Sequence, residues 1–217
     1  MALAIAHSRG LDGLQAPPVL VETHLASGLP SFTLVGLPDT EVKEARDRVR
    51  AAIVNSGFEF PQKRITVNLA PADLPKESGR FDLPIALGIL AASGQIPAGG
   101  LKDCEFAGEL SLSGELRPVR GALAMALQAA GSGKTFILPA ASAREAALTG
   151  DENIYAAGSL LEVCAHIADQ DILPRPVAVD VEKMPVFADL SEVRGQSQAK
   201  RALEIAAAGN HSLLMVG

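Results

Sequence analysis

The chain has 217 residues, of which 48% are hydrophobic and 20% are charged. This length and composition are those of a globular protein with one sizeable core or two small ones. The net charge of −6 argues against a surface that is basic all over, as a dedicated nucleic-acid-binding domain often has. Any DNA contact is therefore expected to be local or to be made by a part of the protein outside this sequence.

The N-terminal segment, MALAIAHSRG, has neither a basic leader nor the apolar stretch of a secretory signal. We therefore expect a cytoplasmic protein. The longest apolar run, residues 83–92, is interrupted by proline and glycine and is shorter than the roughly 20 residues that cross a membrane. The sequence predicts no transmembrane helix and no membrane partner.

The first third of the chain is strand-like. Residues 2–8, 18–26 and 31–37 are short, rich in apolar and β-branched residues, and separated by glycine and proline. This pattern predicts a small sheet of antiparallel character.

An amphipathic helix is predicted next, over residues 39–57. Asp39 is the candidate N-cap and Gly57 the stop signal. The spacing that predicts one buried helix face is carried by four apolar residues: Val42, Ala45, Val49 and Ile53.

The middle of the chain contains two segments with few charges. Residues 64–71 predict a strand, and residues 81–94 predict a helix that is buried on most sides and tolerates Pro84 in its first turn. Residues 106–112 and 115–119 are strand-like, and residues 121–130 predict a second uncharged helix.

The chain then alternates between strand and helix patterns. The predicted strands are residues 135–139 and 153–157, and each is followed by a helix, over residues 142–148 and 159–168. Such alternation is typical of βαβ units laid on a parallel sheet.

Residues 169–188 contain repeated prolines and few apolar clusters, which predicts a linker between two domains, residues 1–168 and 189–217. The last stretch predicts a helix over residues 197–208 and a buried strand over residues 211–217, which cannot make a core alone. That strand ends in Gly217, where the first glycine of a Walker A loop would stand. We therefore expect this chain to be the N-terminal piece of a longer ATPase.

The cysteines and histidines form no recognisable metal or disulfide pattern. Cys104 and Cys164 stand alone without a CxxC motif, and the four histidines are scattered along the chain. We expect two reduced thiols and no metal site.

Two long motifs carry a family resemblance. They are PADLPKESGRFDLPIALGILAASGQIP with the later FAGELSLSGELRPVRGALAMALQAA, and DLSEVRGQSQAKRALEIAAAGNHSLLMVG at the end of the chain. With these motifs the chain resembles the YifB/ComM group of Mg-chelatase-like proteins, which place a Lon-protease-like domain ahead of an AAA+ ATPase module.

The resemblance implies an α/β fold of the ribosomal-protein-S5-domain-2-like, Lon-like class for residues 1–168, followed by the truncated start of an AAA+ module. It implies a parent protein that is an ATPase and forms a hexameric, ring-shaped homo-oligomer, with ATP and Mg²⁺ as cofactors. It also implies a role in processing incoming or recombining DNA. The partners are then the protein's own AAA+ module, neighbouring subunits and DNA, and no cofactor is expected in this piece.

Peptidases of the Lon-like fold use a serine nucleophile and a lysine base. Matching their P-K-D-G-P-S-A-G pattern to residues 75–82 puts Arg80 on the serine, and matching the later G-G-L-K pattern to residues 120–123 puts Leu123 on the lysine. Arginine serves neither as a nucleophile nor as a base at neutral pH, and leucine moves no proton. Ser78 with Lys76 is an alternative pair, but residues two apart in an extended loop do not converge as a dyad. We expect no peptidase activity.

A basic stripe on the first helix is a candidate DNA contact. The stripe consists of Lys43, Arg46 and Arg50 on the helix, together with Lys63 and Arg64, which follow the helix. The alternative is an ordinary solvated helix face with internal ion pairs, such as Glu44 with Arg48. This alternative is favoured by the lack of aromatic residues among the basic ones, on which bases could stack.

Three further features have a structural or partial interpretation. GSGKT at residues 131–135 lacks the first Walker glycine and follows a predicted helix, so a glycine helix end is expected there. Asp82 is expected to cap its helix, with Arg80 or Lys76 as its partner. The resemblance puts the adenine edge of the ATPase at Val193, Arg194, Gly195 and Gln196, and Gly217 at the start of the phosphate loop.

The sequence therefore predicts a non-catalytic domain that acts in assembly or DNA guidance on a ComM/YifB-type ATPase. Two alternatives remain: a motor subunit related to magnesium chelatase, and an active Ser-Lys peptidase. A chelatase motor would have its ATPase module near the N-terminus, which the 188 residues ahead of the second domain do not fit.

Overall fold

The computed structural model describes residues 2–74, 76–176 and 189–216, apart from the side chains at positions 40, 41 and 43. The chain divides into two compact units, Met1–Ala178 and Val179–Gly217. The first unit is a mixed α/β structure with a mostly parallel sheet.

The strands of the first unit follow the predicted order along the chain. They are β1 (Ala2–Arg9), β2 (Pro18–Ala26), β3 (Ser31–Val35), β4 (Arg64–Ala70), β5 (Cys104–Phe106), β6 (Glu109–Leu110), β7 (Leu116–Arg117), β8 (Thr135–Pro139) and β9 (Ile154–Ala157). In the described part of this unit, one sheet has the order β3-β4-β2-β1-β5-β8-β9, and β6 pairs with β7 in a separate ribbon.

Strand directions agree only partly with the predicted antiparallel sheet. β2 is antiparallel to both β1 and β4, as predicted. The prediction is wrong for β3, which is parallel to β4 with Ser31 opposite Arg64. A helix connects these two strands, and a connection of that length returns the chain to the same end of the sheet before the next strand begins. β5 is also parallel to both β1 and β8, and β9 is parallel to β8.

The helices of the first unit cover the sheet. They are α1 (Thr40–Asn55), α2 (Asp82–Ala92), α3 (Ala122–Ala130), α4 (Ala140–Ala146) and α5 (Leu160–Ile167), with short 3₁₀ helices at Gly79–Phe81, Ala98–Leu101 and Ala147–Thr149. Within the described ranges, none of the helices has the length and apolar character needed to span a bilayer.

α1 forms as its sequence predicts. The Asp39 side chain accepts a hydrogen bond from the backbone N–H of Val42 at 2.7 Å, which caps the helix. The chain leaves the helix at Gly57, whose φ is +84°. The predicted apolar face is buried at all four positions: Val42, Ala45, Val49 and Ile53.

α2 is the centre of the larger core. All eleven of its residues are buried, as predicted, and it packs against β1, β2 and α1. Gly88 permits this close packing, because a Cβ there would lie 2.4 Å from Thr23 Oγ1 of β2.

The strand predicted over residues 106–112 is wrong. β5 ends at Phe106, and the chain turns away from the sheet at Gly108. Gly108 donates its N–H to the Arg80 carbonyl at 2.9 Å and accepts the N–H of Leu83 at 3.0 Å. These long-range bonds divert the chain to the start of α2, where β6 and β7 form their ribbon.

The predicted βαβ arrangement is confirmed by β8, α4 and β9, because the two strands are parallel. β8 is covered on both faces, as parallel strands generally are. Phe136 and Leu138 join a core with α3 and α4, while Ile137 joins the larger core of α1 and α2.

The second unit contains a 3₁₀ turn at Leu190–Glu192 and α6 (Ser197–Gly209). α6 matches the predicted helix closely. The strand predicted over residues 211–217 is wrong, since residues 211–216 have no regular secondary structure and Gly217 lies outside the described residues. A strand needs a hydrogen-bonding neighbour, and the described part of this unit has none to offer.

Candidate functional site

The loop between β4 and α2 holds Lys76 in an enclosed position. Lys76 is 1% exposed, and its Nζ donates a hydrogen bond to the carbonyl of Pro71. Its backbone is also fixed, because the Lys76 carbonyl accepts the N–H of Asp39 at 3.1 Å. Burial lowers the pKa of the Lys76 amine.

Arg80, four residues further on, binds Ser78 in the same loop. Arg80 is 5% exposed, and its Nε donates to Ser78 Oγ at 2.9 Å and to the Glu77 carbonyl at 3.3 Å. Ser78 has φ +68°, a left-handed conformation that is uncommon for a residue with a side chain and is often found at functional sites. The Ser78 hydroxyl therefore accepts from a guanidinium, while Lys76 bonds elsewhere.

Leu123 lies in the first turn of α3. It is half-buried, and its backbone N–H donates to Glu145 Oε1 at 3.2 Å. Two positions later, Met125 Sδ lies 4.0 Å from Arg80 Nη1. The structure thus packs together the two segments that carry Arg80 and Leu123. A guanidinium at this place can bind an anion, but it holds its proton at neutral pH.

A cavity of about 280 Å³ lies beside Arg80. We call it the Arg80 cavity, and its lining residues are Ser78, Arg80, Glu109, Pro118, Val119 and Arg120. Sequence analysis did not single out Glu109 or Arg120, which stand 29 and 40 positions after Arg80. The sequence signal that could have pointed to Arg120 is the Arg-Pro-Val-Arg run at residues 117–120, in which two arginines flank a proline and a valine.

Asp82 has a different partner from the one predicted. It is fully buried at the start of α2, and Arg48 of α1 donates to both of its oxygens, Nε to Oδ2 at 2.7 Å and Nη2 to Oδ1 at 3.1 Å. Its third donor is the backbone N–H of Leu110 at 3.2 Å, in place of the N–H groups of its own helix. The predicted place of Asp82 in the first turn of its helix is confirmed, but the predicted partners Arg80 and Lys76 are wrong, because Arg48 reaches Asp82 across the α1–α2 interface.

The basic stripe is at the surface where the structure describes it. Its exposed members are Arg46, Arg50, Lys63 and Arg64, and the side chain of Lys43 lies outside the described residues. Arg50 stacks over the Phe60 ring at 5.2 Å, which links α1 to the segment before β4. The expected Glu44–Arg48 contact is present at 4.0 Å.

The GSGKT segment forms a helix end and a turn. α3 ends at Ala130 with Gly131 as its C-cap, Gly133 has φ +69°, and β8 begins at Thr135. This is the predicted glycine-rich connection from a helix into a strand.

The candidate nucleotide-edge residues precede α6 in the second unit. Val193, Arg194, Gly195 and Gln196 are all exposed, and Gly195 and Gln196 have positive φ. They lead into the helix through two consecutive residues with positive φ.

The thiols and potential metal ligands show no cluster. Cys104 and Cys164 are buried and free, and burial raises their pKa values to about 11 and about 12. In the ranges that the structure describes, there is no group of three or more His, Cys, Asp or Glu residues that could hold a metal ion.

Comparison with known proteins matches both parts of the chain. A family model described as subunit ChlI of Mg-chelatase matches residues 21–142, and one described as magnesium chelatase, subunit ChlI, matches residues 189–217. The first match covers more than half of the chain.

Curated relatives match over the whole chain. It is 52% identical to the uncharacterized protein YifB of Salmonella typhimurium over 217 residues, and 51% identical to YifB of Escherichia coli. It is 52% identical over 222 residues to the competence protein ComM of Haemophilus influenzae. These matches cover 100% of this chain but only 43 to 44% of each relative, so the chain spans less than half of their length. The chain belongs to the YifB/ComM family of Mg-chelatase-like proteins.

Proposed function

We propose that this chain is the non-catalytic N-terminal part of a ComM/YifB-type AAA+ ATPase that remodels DNA in competence or recombination, in a reaction like branch migration. Residues 1–168 form its Lon-protease-like domain, of the ribosomal-protein-S5-domain-2-like class, and residues 169–188 join it to the first portion of the AAA+ module. The domain acts in ring assembly or in guiding DNA, as an element of a cytoplasmic homo-oligomer.

The observation that carries this proposal is the contact between Arg80 and Ser78. The resemblance puts the peptidase serine at position 80, where a buried guanidinium donates to the Ser78 hydroxyl at 2.9 Å. The guanidinium keeps its own proton at neutral pH and cannot act as the base for that hydroxyl, and the Lys76 amine bonds the Pro71 carbonyl instead. A domain with a protease-type fold but without that base can still bind a ligand or take part in assembly.

The second unit supports the ATPase part of the proposal. Its family match begins at residue 189, and α6 follows the four residues assigned to the adenine edge. ATP and Mg²⁺ are cofactors of the whole protein in this scheme. The name of the Haemophilus influenzae relative, a competence protein, supports DNA as the substrate class.

The test compares the full-length protein that carries this chain with a variant that lacks residues 1–168. We expect the truncated protein to lose hexamer formation, measured by light scattering, or to migrate a labelled four-way junction more slowly, while its AAA+ module still binds ATP. A truncated protein that forms hexamers and remodels branched DNA at the normal rate would contradict the proposal.

A peptidase assay tests the non-catalytic assignment separately. We expect no hydrolysis of labelled casein by this chain or by its parent. Hydrolysis that disappears in Ser78→Ala, and persists when the exposed Ser31 at the start of β3 is replaced by alanine, would establish a serine peptidase instead.

A chelatase motor subunit is the second candidate, because both matching family models are described as ChlI subunits of Mg-chelatase. Such a motor would support ATP-dependent insertion of Mg²⁺ into a porphyrin, which is followed by product fluorescence. We expect no insertion by the full-length protein when it is supplied with the other chelatase subunits.

A further inference from the structure

Arg80 differs in its contacts from Arg9 and Arg48, the two arginines of the first unit that pair with buried carboxylates. Arg9 donates to both carboxylate oxygens of Glu105, at 2.5 and 2.9 Å, and Arg48 does the same with Asp82. In the described ranges, neither Arg80 nor Arg120 has a carboxylate oxygen within 4.0 Å. The contacts of Arg80 are a hydroxyl, a carbonyl and a thioether, all neutral. Burial lowers the pKa of Arg80, and the charge of Glu77 opposes that shift without forming an ion pair within 4.0 Å. An anion bound beside the buried guanidinium would offset the remaining cost of its burial.

The lining of the Arg80 cavity contains a second cation. Arg80 and Arg120 both line it, together with Ser78 and the neutral residues Pro118 and Val119. Glu109 is the only acidic residue in that lining, and its Oε1 lies 3.7 Å from Nη1 of Arg117, which is outside the lining. The lining of the cavity therefore contains two positive side chains and one carboxylate, and that carboxylate already has Arg117 beside it.

The walls of the cavity are fixed by bonds from other elements. The Arg80 carbonyl accepts the N–H of Gly108 at 2.9 Å, next to Glu109. At Val119, another lining residue, Ser142 Oγ of α4 accepts the backbone N–H at 2.9 Å and donates to the carbonyl at 3.2 Å. Groups that are held in place before binding lose little conformational freedom when a ligand arrives.

We propose that the Arg80 cavity binds a phosphoryl group through Arg80, Arg120 and the Ser78 hydroxyl. Guanidinium groups donate in a planar fork that matches phosphate oxygens, and a hydroxyl adds a neutral donor. A volume of about 280 Å³ is at the lower limit of small-molecule pockets, and the lining has no aromatic side chain on which a base could stack. The site therefore recognises the phosphate and leaves the rest of its carrier outside. The carrier is a free phosphate ester or a nucleic-acid backbone.

The test is a calorimetric titration of the whole 217-residue chain with inorganic phosphate at constant ionic strength. We expect saturable binding that is weakened about tenfold or more by Arg120→Gln, since Arg120 is exposed and its loss spares the fold. Arg144→Gln is the matched control, because Arg144 of α4 is also exposed but neither lines the cavity nor pairs with Glu109. We expect its affinity to stay within about twofold of the unaltered chain.

Glu109→Gln is expected to change the affinity for phosphate in the opposite direction from Arg120→Gln. This change removes the one acidic group of the lining while keeping its shape, so we expect phosphate to bind several times more tightly. Two further probes identify the carrier, a nucleoside monophosphate and a single-stranded oligonucleotide without terminal phosphates. The carrier is the probe whose binding depends on Arg120.

Either carrier supports the site. The proposal is overturned if no probe binds, or if Arg120→Gln and Arg144→Gln change the affinity for phosphate equally, since general surface charge then explains the signal. It is also overturned if Glu109→Gln weakens binding. None of these outcomes bears on ring assembly, so the site and the proposed function fail independently.

Discussion

Arg48 of α1 and Asp82 of α2 form an ion pair with two hydrogen bonds, at 2.7 and 3.1 Å, across the interface of the two helices. Leu110 of β6 adds its N–H to the same carboxylate at 3.2 Å. The carboxylate is fully buried, whereas the Arg48 side chain is 20% exposed. Asp82 therefore ties three elements together, and it depends on Arg48 for its opposite charge.

Replacing Arg48 tests that dependence. We expect Arg48→Met to lower the free energy of unfolding by about 3 kcal/mol, because it leaves a buried carboxylate without its cation. Arg50→Met is the control on the same helix, where the loss is a cation–π contact with Phe60 worth about 1 kcal/mol or less. Urea unfolding of both variants gives the comparison. Equal losses would mean that Asp82 does not need Arg48.

The titration of Asp82 predicts a pH dependence of stability. Burial raises the pKa of Asp82 from 3.8 to about 6, against the opposing effect of Arg48. The folded state then binds this proton more tightly than the unfolded state. The resulting stabilisation is full below about pH 4 and is lost as the pH rises through about 6.

Asp82→Asn removes this titration. Between about pH 4 and 7, the free energy of unfolding of the unaltered chain should fall by about 3 kcal/mol relative to that of the variant. Urea unfolding at a series of pH values measures the difference. Two curves that run parallel over this range would show that the pKa of Asp82 is not raised.

Sequence patterns predicted the features that depend on neighbouring residues. The cap at Asp39 and the buried face from Val42 to Ile53 follow from spacing within one helix, and α2 follows from its unbroken apolar composition. The β8–α4–β9 unit was predicted for the same reason.

The features that sequence patterns missed depend on residues far apart in the chain. Arg48 and Asp82 are 34 positions apart, so the Glu44–Arg48 spacing within α1 gave no sign of the stronger partner. The turn at Gly108 and the meeting of Arg80 with Arg120 are likewise set by tertiary contacts. Single-sequence patterns report local preference, and tertiary packing overrides it at such places.

Gly36 is a position where packing permits no side chain. Its φ is +98°, and a Cβ there would lie 2.1 Å from the carbonyl oxygen of Leu69 in β4. Gly57 also has positive φ, +84°, but open space surrounds its Cβ position. We expect Gly57→Ala to cost about 1 kcal/mol from backbone strain alone, and Gly36→Ala to cost about 3 kcal/mol or more, because β3 must also move from β4. Thermal unfolding of the two variants separates strain from steric overlap, and similar losses would show that the β3 edge shifts freely.

The proposed DNA contact predicts a salt-dependent affinity that belongs to one face of the first unit. We expect the chain to bind single-stranded and four-way-junction DNA, measured by fluorescence anisotropy between about 50 and 200 mM NaCl, with an affinity that falls steeply as salt rises. On single strands each phosphate contact contributes about −0.7 to the slope of log affinity against log salt, so loss of two contacts should flatten it by about 1.4. The variant is Arg46→Glu with Arg50→Glu, and the control is Arg144→Glu on α4, which is also exposed. Equal effects of the variant and the control would mean that the basic stripe is an ordinary solvated helix face and does not contact DNA. A flat salt dependence, or no binding, would assign DNA contact to the parts of the parent protein outside this chain.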